Sequence, residues 1–538
     1  MDELPGGSPA QRPGDTATVV IVPHQPPRST RRATLLLVGA ITLVGLVLRF
    51  TLIGSKSLWL DESFSVWIAN LDPGQIWRTT LQIDTHPPLY YSLLHFWIDP
   101  LSGEIALRSF SALFSAAAVP VLYLVGREVG GRGLGLLVAG LQAVSPLHVW
   151  YAQQGRMYAM MTFFAAVALL CMVRLLTGGR GVRATLLTWA GFVVATVLTM
   201  LSHNTGVLLP ATLVVFTAVV ALGRVVAERR RGFDPDGTAP LGRLGAVSRP
   251  GTDLRLWLAG LVAVAVLWLP WLPGFAAQTG RVDAEFWIAP PTARTVLDHF
   301  RDLLSAYAPG AVTVPLLVGC AVLVGLAAWH LRHRPELLVL LVLLVVGPVV
   351  GELLVSVRRP IFYSQTLIWT SLPLTLLLGI GLLRLRPRPV LAAATAALLA
   401  VNALSLVTYY RAGGVEDWRG AALYVADRAG PGDALLFSAG WTELAFAYYY
   451  RSTGGEPVEM HGLPVDPFDR GVLEPKMAPT DIPRLDQLTE GRPRVWLVLS
   501  HDGYTDPDRI VTSRLGEHLR VVEQVDLAGM RIQAYEPD

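Results

Sequence analysis

The residues best suited to chemistry stand together in LWLDESFSVW, where Asp61 and Glu62 are adjacent among Trp59, Phe64 and Trp67. They follow an apolar run directly, and a carboxylate pressed against an apolar interface is costly unless it is paired or used. Neighbours on a helix point in different directions, so the two acids are expected to serve different roles rather than share one proton. A helix N-cap at Asp61, accepting backbone N–H bonds, is the competing structural use. A second cluster, DTHPPLYYSLLHFW, sets Asp84 and His86 before two prolines that open a helix. Oxygen and nitrogen ligands on one short segment could complete a divalent-metal site with a group from elsewhere. A capping Asp84 with a hydrogen-bonded His86 accounts for the same residues.

A third cluster, SPLHVWYAQQGRMYAMM, offers His148, Tyr151, Gln154, Arg156 and Tyr158 in a tight turn. Arg156 either snorkels to an interface or contacts a phosphate. Arg358 and Arg359, beside Pro360 and Tyr363, present two forked donor sets that match phosphate oxygens and form the best anion-binding candidate. His203 and Asn204, and likewise Asp298, His299 and Arg301, read as solvated loop residues. Two Asp-x-Asp strings, at Asp234 and Asp236 and at Asp506 and Asp508, lie in turns containing Pro or Gly, where local hydrogen bonding explains the acids.

The elements that must position these groups are mostly membrane helices. Apolar residues make up 52% of the 538-residue chain and charged ones 16%, and the mean hydropathy is +0.46. The solvent for most of such a chain is lipid. A net charge of +3 gives no reason to expect a nucleic-acid partner. Cys171 and Cys320 fall inside apolar runs and supply neither a disulfide framework nor a metal cluster. Runs long enough to span begin near residues 33, 106, 133, 157, 184, 205, 256, 311, 336, 362 and 389, which makes eleven transmembrane helices. Residues 1–32 form a polar tail expected to be disordered and cytoplasmic, and the segment 86–98 is too short to span and is expected to lie at the membrane surface.

Loop charge sets the orientation. With the tail inside, alternate loops carry Arg127 and Arg132, then Arg174, Arg180 and Arg183, then the Arg-rich stretch 224–255, then Arg332 and Arg334, then Arg384, Arg386 and Arg388. The first loop, 54–105, and residues 411–538 then face away from the cytoplasm. The composition of 411–538, with a helical pattern at DWRGAALYVADRAG and strand-like runs at ALLFSA, RVWLVLS and RIQAYE, predicts a small extracytoplasmic α/β domain.

Together, Asp61-Glu62 after the first span, Asp84-Thr85-His86-Pro87-Pro88 before the second, and the SPLHVWYAQQGRMYA turn resemble the GT-C superfamily of membrane glycosyltransferases. The likeness covers roughly residues 35–410 and is nearest the protein O-mannosyltransferase and aminoarabinose-transferase branch, similar to glycosyltransferase family 39. The resemblance implies transfer of a mannose- or pentose-like sugar from a polyprenyl-phosphate donor to a glycan, lipid or protein acceptor in the cell envelope. It also implies Asp61 at the centre of catalysis, with Glu62 beside it, and Asp84 at a second acidic position used in some relatives for metal or donor binding. Direct displacement would invert the anomeric centre. On this reading Arg156, Arg358 and Arg359 bind the donor phosphate, His86, Tyr151, Tyr158 and Tyr363 bind substrate, and Asp84 with His86 could hold a divalent metal ion. A transporter or flippase for a lipid-linked or anionic solute is the alternative, for which Glu352 is the main sequence feature; a non-catalytic envelope subunit is a third.

Overall fold

The computed structural model describes residues 28–98, 103–231, 253–284, 288–466 and 475–537. Asp234 and Asp236 therefore lie outside the described residues. Among those described, ten helices are long and apolar enough to cross a membrane, and the chain is a multi-pass membrane protein. One of the ten, Glu104–Ala143, is 40 residues long and is two crossings joined by a turn: Gly130 and Gly131 leave helical geometry, and Gly131 has φ +81. Gly126 and Gly135 let the two arms touch, since a Cβ on Gly126 would stand 2.8 Å from the backbone of Gly135. The eleven segments expected from hydropathy are all present once this hairpin is resolved.

The short helices Leu60–Ala69, Pro73–Ile83 and Leu89–His95 fill the loop after the first span. The last is seven residues long. At ~1.5 Å rise per residue it covers about a third of a bilayer. Phe96, Trp97 and Trp77 stay exposed there, as side chains at a lipid surface do.

After the final span, Arg388–Arg411, the chain forms an α/β unit. Its strands are β1 (Ala434–Phe437), β2 (Glu459–Gly462), β3 (Val495–Leu499), β4 (Leu519–Leu527) and β5 (Met530–Pro537), in the order β2-β1-β3-β5-β4. β1 pairs in parallel with β2 and β3, while β5 is antiparallel to β3 and β4. β1 and β3 are buried along their whole length, because helices such as Trp418–Ala426 and Thr442–Tyr450 cover one face of the sheet and Ile482–Thr489 the other. β2 and β4 went unpredicted: β2 is a four-residue EMHG and β4 is polar on its open face.

Candidate active site

Asp61 and Glu62 occupy the first turn of Leu60–Ala69 and have opposite fates. Glu62 is fully buried and its carboxylate is saturated. Oε1 accepts from Arg108 Nε at 2.8 Å and from Gly155 N at 2.7 Å; Oε2 accepts from Arg108 Nη2 at 2.6 Å and from Trp59 N at 3.3 Å. Gly155 can come so near because it has no side chain: a Cβ there would sit 2.5 Å from Leu107. The remaining Arg108 donors bind the carbonyls of Ile53, Lys56 and Ser57. The two acids of the expected catalytic pair thus differ in surroundings. With every lone pair engaged, Glu62 ties the loop to the second span and has no capacity left for a substrate proton.

The Asp61 side chain keeps 38% of its surface exposed, and its Oδ2 stands 3.6 Å from Arg156 Nη2. Arg156 is buried to 3%. Its Nη1 reaches the Asp61 carbonyl at 3.4 Å, Ser65 Oγ at 3.3 Å and Tyr91 Oη at 3.2 Å, while its Nε is buried without a hydrogen-bond partner. Beyond Arg156 lies a second pair, in which His86 Nδ1 meets Asp84 Oδ1 at 2.8 Å and His86 Nε2 faces Arg156 Nη2 at 3.4 Å. Burial raises the affinity of Asp84 for a proton, but His86 beside it and the charge of Arg156 outweigh that, so the Asp84 carboxyl is held below its ordinary value.

The Asp84 and His86 pair does not fit a divalent ion. His86 Nδ1 takes up only Asp84 Oδ1, and Oδ2 is buried without a partner, but a fixed cation, the Arg156 guanidinium, already occupies the gap between the imidazole and the Asp61 carboxylate. Among the described residues no three His, Cys, Asp or Glu side chains are grouped so as to hold a metal. The metal expected at Asp84 and His86 finds no support in this arrangement.

Aromatic rings continue the wall. His86 packs edge-on against His203 (4.9 Å between centroids), His203 against Tyr158 (5.9 Å) and Tyr158 against Tyr151 (5.5 Å). Tyr151 stacks on Trp150 and its hydroxyl meets Gln365 at 3.4 Å, while the charge field of Asp61 and Arg156 reaches Tyr363. Of the three tyrosines expected to bind substrate, Tyr158 lies beside Arg156, and Tyr151 joins the wall through Tyr158. Arg358 is exposed at the rim instead, and Arg359 is half-buried there with Nη1 on the Thr279 carbonyl at 3.4 Å. The preferred anion pair of the sequence is thus at the edge, and the buried guanidinium of Arg156 is at the centre.

Several residues read as solvated are part of the structure. His203 is buried, accepts from Thr205 N at 3.1 Å through Nδ1, and is driven well below its ordinary pKa by burial and by the nearby charges of His86 and Arg156. Asn204 Nδ2 binds the Thr85 carbonyl at 2.8 Å and Gln278 Oε1 at 2.7 Å. Gln278 and Arg281, which sequence reasoning passed over, hold the carbonyls of His86 (2.8 Å) and Asp84 (2.7 Å). Arg281 ends an apolar run before a polar stretch, the one signal that could have singled it out. His299 is fully buried against Phe300 and Phe362, and burial lowers its pKa to about 4. Arg301 pairs with Asp298 and Asp302. Glu352 accepts from Thr366 Oγ1 (2.5 Å) and Tyr363 N (3.3 Å), so it braces the Tyr363 loop. Asp506 caps the helix Ile510–Leu515 through the N–H groups of Ile510 and Val511.

No family model and no curated protein sequence matches the chain. Solved structures do. The fold is similar to ArnT from Cupriavidus metallidurans in the apo state, with a TM-score of 0.59 and 15% identity over 94% of this chain and 98% of that one. The same protein bound to undecaprenyl phosphate gives 0.55 at 15% identity, over 93% and 98%. The archaeal oligosaccharyltransferase AglB from Archaeoglobus fulgidus, in complex with an inhibitory peptide and a dolichol-phosphate, gives 0.52 at 12% identity, over 95% of this chain and 74% of that one. The chain has the GT-C fold.

Proposed function

We propose that this protein transfers a sugar from a polyprenyl-phosphate donor to a hydroxyl acceptor in the cell envelope, with Asp61 as the proton acceptor and inversion at the anomeric carbon. One observation carries the reading: a partly exposed carboxylate stands 3.6 Å from a buried guanidinium whose Nε has no partner. A base and an anion-binding donor side by side are what displacement of a phosphate by a hydroxyl requires. The acceptor oxygen attacks the anomeric carbon as Asp61 takes its proton; the bond from that carbon to the donor phosphate breaks, and the polyprenyl phosphate leaves with the electron pair. Arg156 offsets the negative charge gathering on the departing oxygens, a task assigned here to the resident cation and not to a metal ion. Solved proteins of this fold bind undecaprenyl phosphate and dolichol-phosphate, which supports a lipid-phosphate donor.

Loop arginines favour placing the site on the extracytoplasmic face. The end of the bundle opposite Asp61 carries Arg174 and Arg180 paired with Glu128, Arg224 with Glu336, and the cluster of Arg332, Arg334 and Arg384 around His330. By the bias of membrane loops that end is cytoplasmic. Nucleotide sugars are then on the wrong side, and a lipid carrier brings the sugar phosphate to the outer surface. The test gives purified protein in liposomes a labelled panel of polyprenyl-phosphate sugars beside the matching nucleotide sugars, with envelope extract as the acceptor source. Transfer is expected from a lipid donor alone. Transfer from nucleotide sugars with the lipid donors inert would overturn the proposal.

A further inference from the structure

Two of the three backbone N–H groups that lead into Asp61, those of Leu58 and Leu60, are satisfied from the α/β domain, while Trp59 N goes to Glu62. Leu58 N donates to Tyr449 Oη at 2.7 Å, and Leu60 N donates to Glu416 Oε2 at 2.9 Å. Leu60 is the first residue of the helix bearing Asp61, and its N–H is one of the donors a helix cannot satisfy itself. A carboxylate at that point also meets the positive end of the helix dipole. Glu416 is only 4% exposed and is held from three directions: Oε2 also accepts from Trp418 Nε1 at 2.5 Å, and Oε1 meets His501 Nε2 at 3.0 Å. Around it, Asp417 accepts from Ser57 Oγ at 3.3 Å, Arg419 N donates to Ser57 Oγ at 3.1 Å, and Arg419 reaches Glu104 and the Gly54 carbonyl.

We propose that Glu416 is a positioning residue for Asp61, a helix cap supplied by the extramembrane domain that fixes the direction of the carboxylate. The inference rests on Asp61 being the proton acceptor. Asp61 stands between two anchored neighbours: Glu62 ties the turn to Arg108 and Gly155, and Leu60 ties it to Glu416. Glu62 holds the turn from the membrane domain, and Glu416 holds its first N–H group from the α/β domain. The helix is ten residues long, and its first turn carries the acid. Without Glu416 that turn loosens, while the Arg108 clamp keeps the fold. A displacement of about 1 Å at a reacting group is enough to cost on the order of 10²-fold in rate.

The test compares Glu416→Ala, Glu416→Gln and Glu416→Asp in the full chain reconstituted in liposomes. Glu416→Ala should bind the lipid donor within about twofold of the parent, keep its KM values, and lose roughly 10- to 100-fold in kcat. Glu416→Gln should recover most of that loss, because its amide oxygen can accept from Leu60 N while its amide N–H donates to His501 Nε2. Glu416→Asp, one methylene shorter, keeps its charge beside Trp418 and His501 but draws back from Leu60 N, and should show the selective kcat loss even if the alanine variant fails to fold. Hydrogen exchange of segment 58–66, which needs no transfer assay, should quicken in the Asp and Ala variants and not in Gln. A kcat within twofold of the parent in Ala and Asp, or unchanged exchange of that segment, overturns the inference while leaving Asp61 in place. Quickened exchange in the Asp and Ala variants, with a parent chain that transfers no sugar from any lipid donor, would keep the cap and sink the transferase reading instead.

Discussion

The two ends of the helix bundle use charge in opposite ways. Around Asp61 the ions are buried and bound at several points: Glu62, Arg108, Arg156 and Asp84 are all at most 5% exposed. At the other end the pairs of Arg174 and Arg180 with Glu128, and of Arg224 with Glu336, keep roughly a sixth to a third of their side chains exposed, and Arg332 and Arg334 lie open. Burying an ion is costly and is sustained only by full pairing, whereas an exposed arginine near headgroups costs little and does no more than orient the chain. The difference teaches that chemistry should be sought where charge is expensive. Within the costly cluster, Asp61 stands out because it alone of the acids keeps exposed surface beside a buried cation.

This contrast can be broken by mutation, and the largest expected effect is at Arg108. Arg108→Met strands Glu62 as a buried unpaired carboxylate, a loss of about 3–5 kcal/mol, and the thermal midpoint in detergent should fall steeply; adding Glu62→Leu should restore part of it. A midpoint equal to the parent's would show that the pair does not hold the loop. Arg156→Lys sharpens the comparison from the functional side. Lysine keeps the charge but loses the fork, so transfer should drop on the order of 10²-fold, as when one donor to a developing oxyanion is removed. The opposite end should respond weakly: Glu128→Gln leaves two exposed-end arginines unpaired and should change stability by about 1 kcal/mol or less. A loss as large as that of Arg108→Met would erase the distinction between the ends.

The smallest effect expected lies in the α/β domain, at Glu443. Burial, with the negative charge of Asp466 adding to it, pushes its carboxyl up to about 7. A raised folded pKa means that the folded state holds a proton the unfolded chain has released between about pH 4.5 and 7. Glu443 therefore weakens the fold as pH rises through that window. Glu443→Gln should flatten the decline, with a higher midpoint than the parent at pH 8 and little difference near pH 4. Identical pH dependence in the two proteins would contradict the assignment.

Much of this was legible from the chain alone, for physical reasons that also mark the limit. Hydropathy and loop arginines gave the eleven crossings, since lipid leaves a chain few alternatives, and the cost of acids beside apolar runs pointed to Asp61 and Asp84. What periodicity cannot show is which acid is spent. The partners of Glu62 are Arg108 and Gly155, 46 and 93 residues away. His203 and Asn204 read as loop residues in sequence because their partners, His86 and Tyr158 for the first and Thr85 and Gln278 for the second, are brought near only by the fold. A doubled cation such as Arg358 and Arg359 is conspicuous in sequence, whereas the single Arg156 gains its weight from burial, which the sequence does not display.

The central claim is that Asp61 is the proton acceptor and Glu62 is not, and the most direct measurement is single-turnover transfer with pre-bound lipid donor in Asp61→Asn. The carboxamide preserves shape but not basicity. The account predicts that donor affinity and thermal midpoint stay near the parent's while the transfer rate falls by roughly 10³-fold or more, within the range expected of a lost catalytic base or nucleophile-activating group. A variant that still transfers at near-parent rate would contradict it and leave Asp61 a helix-end residue with no part in the reaction.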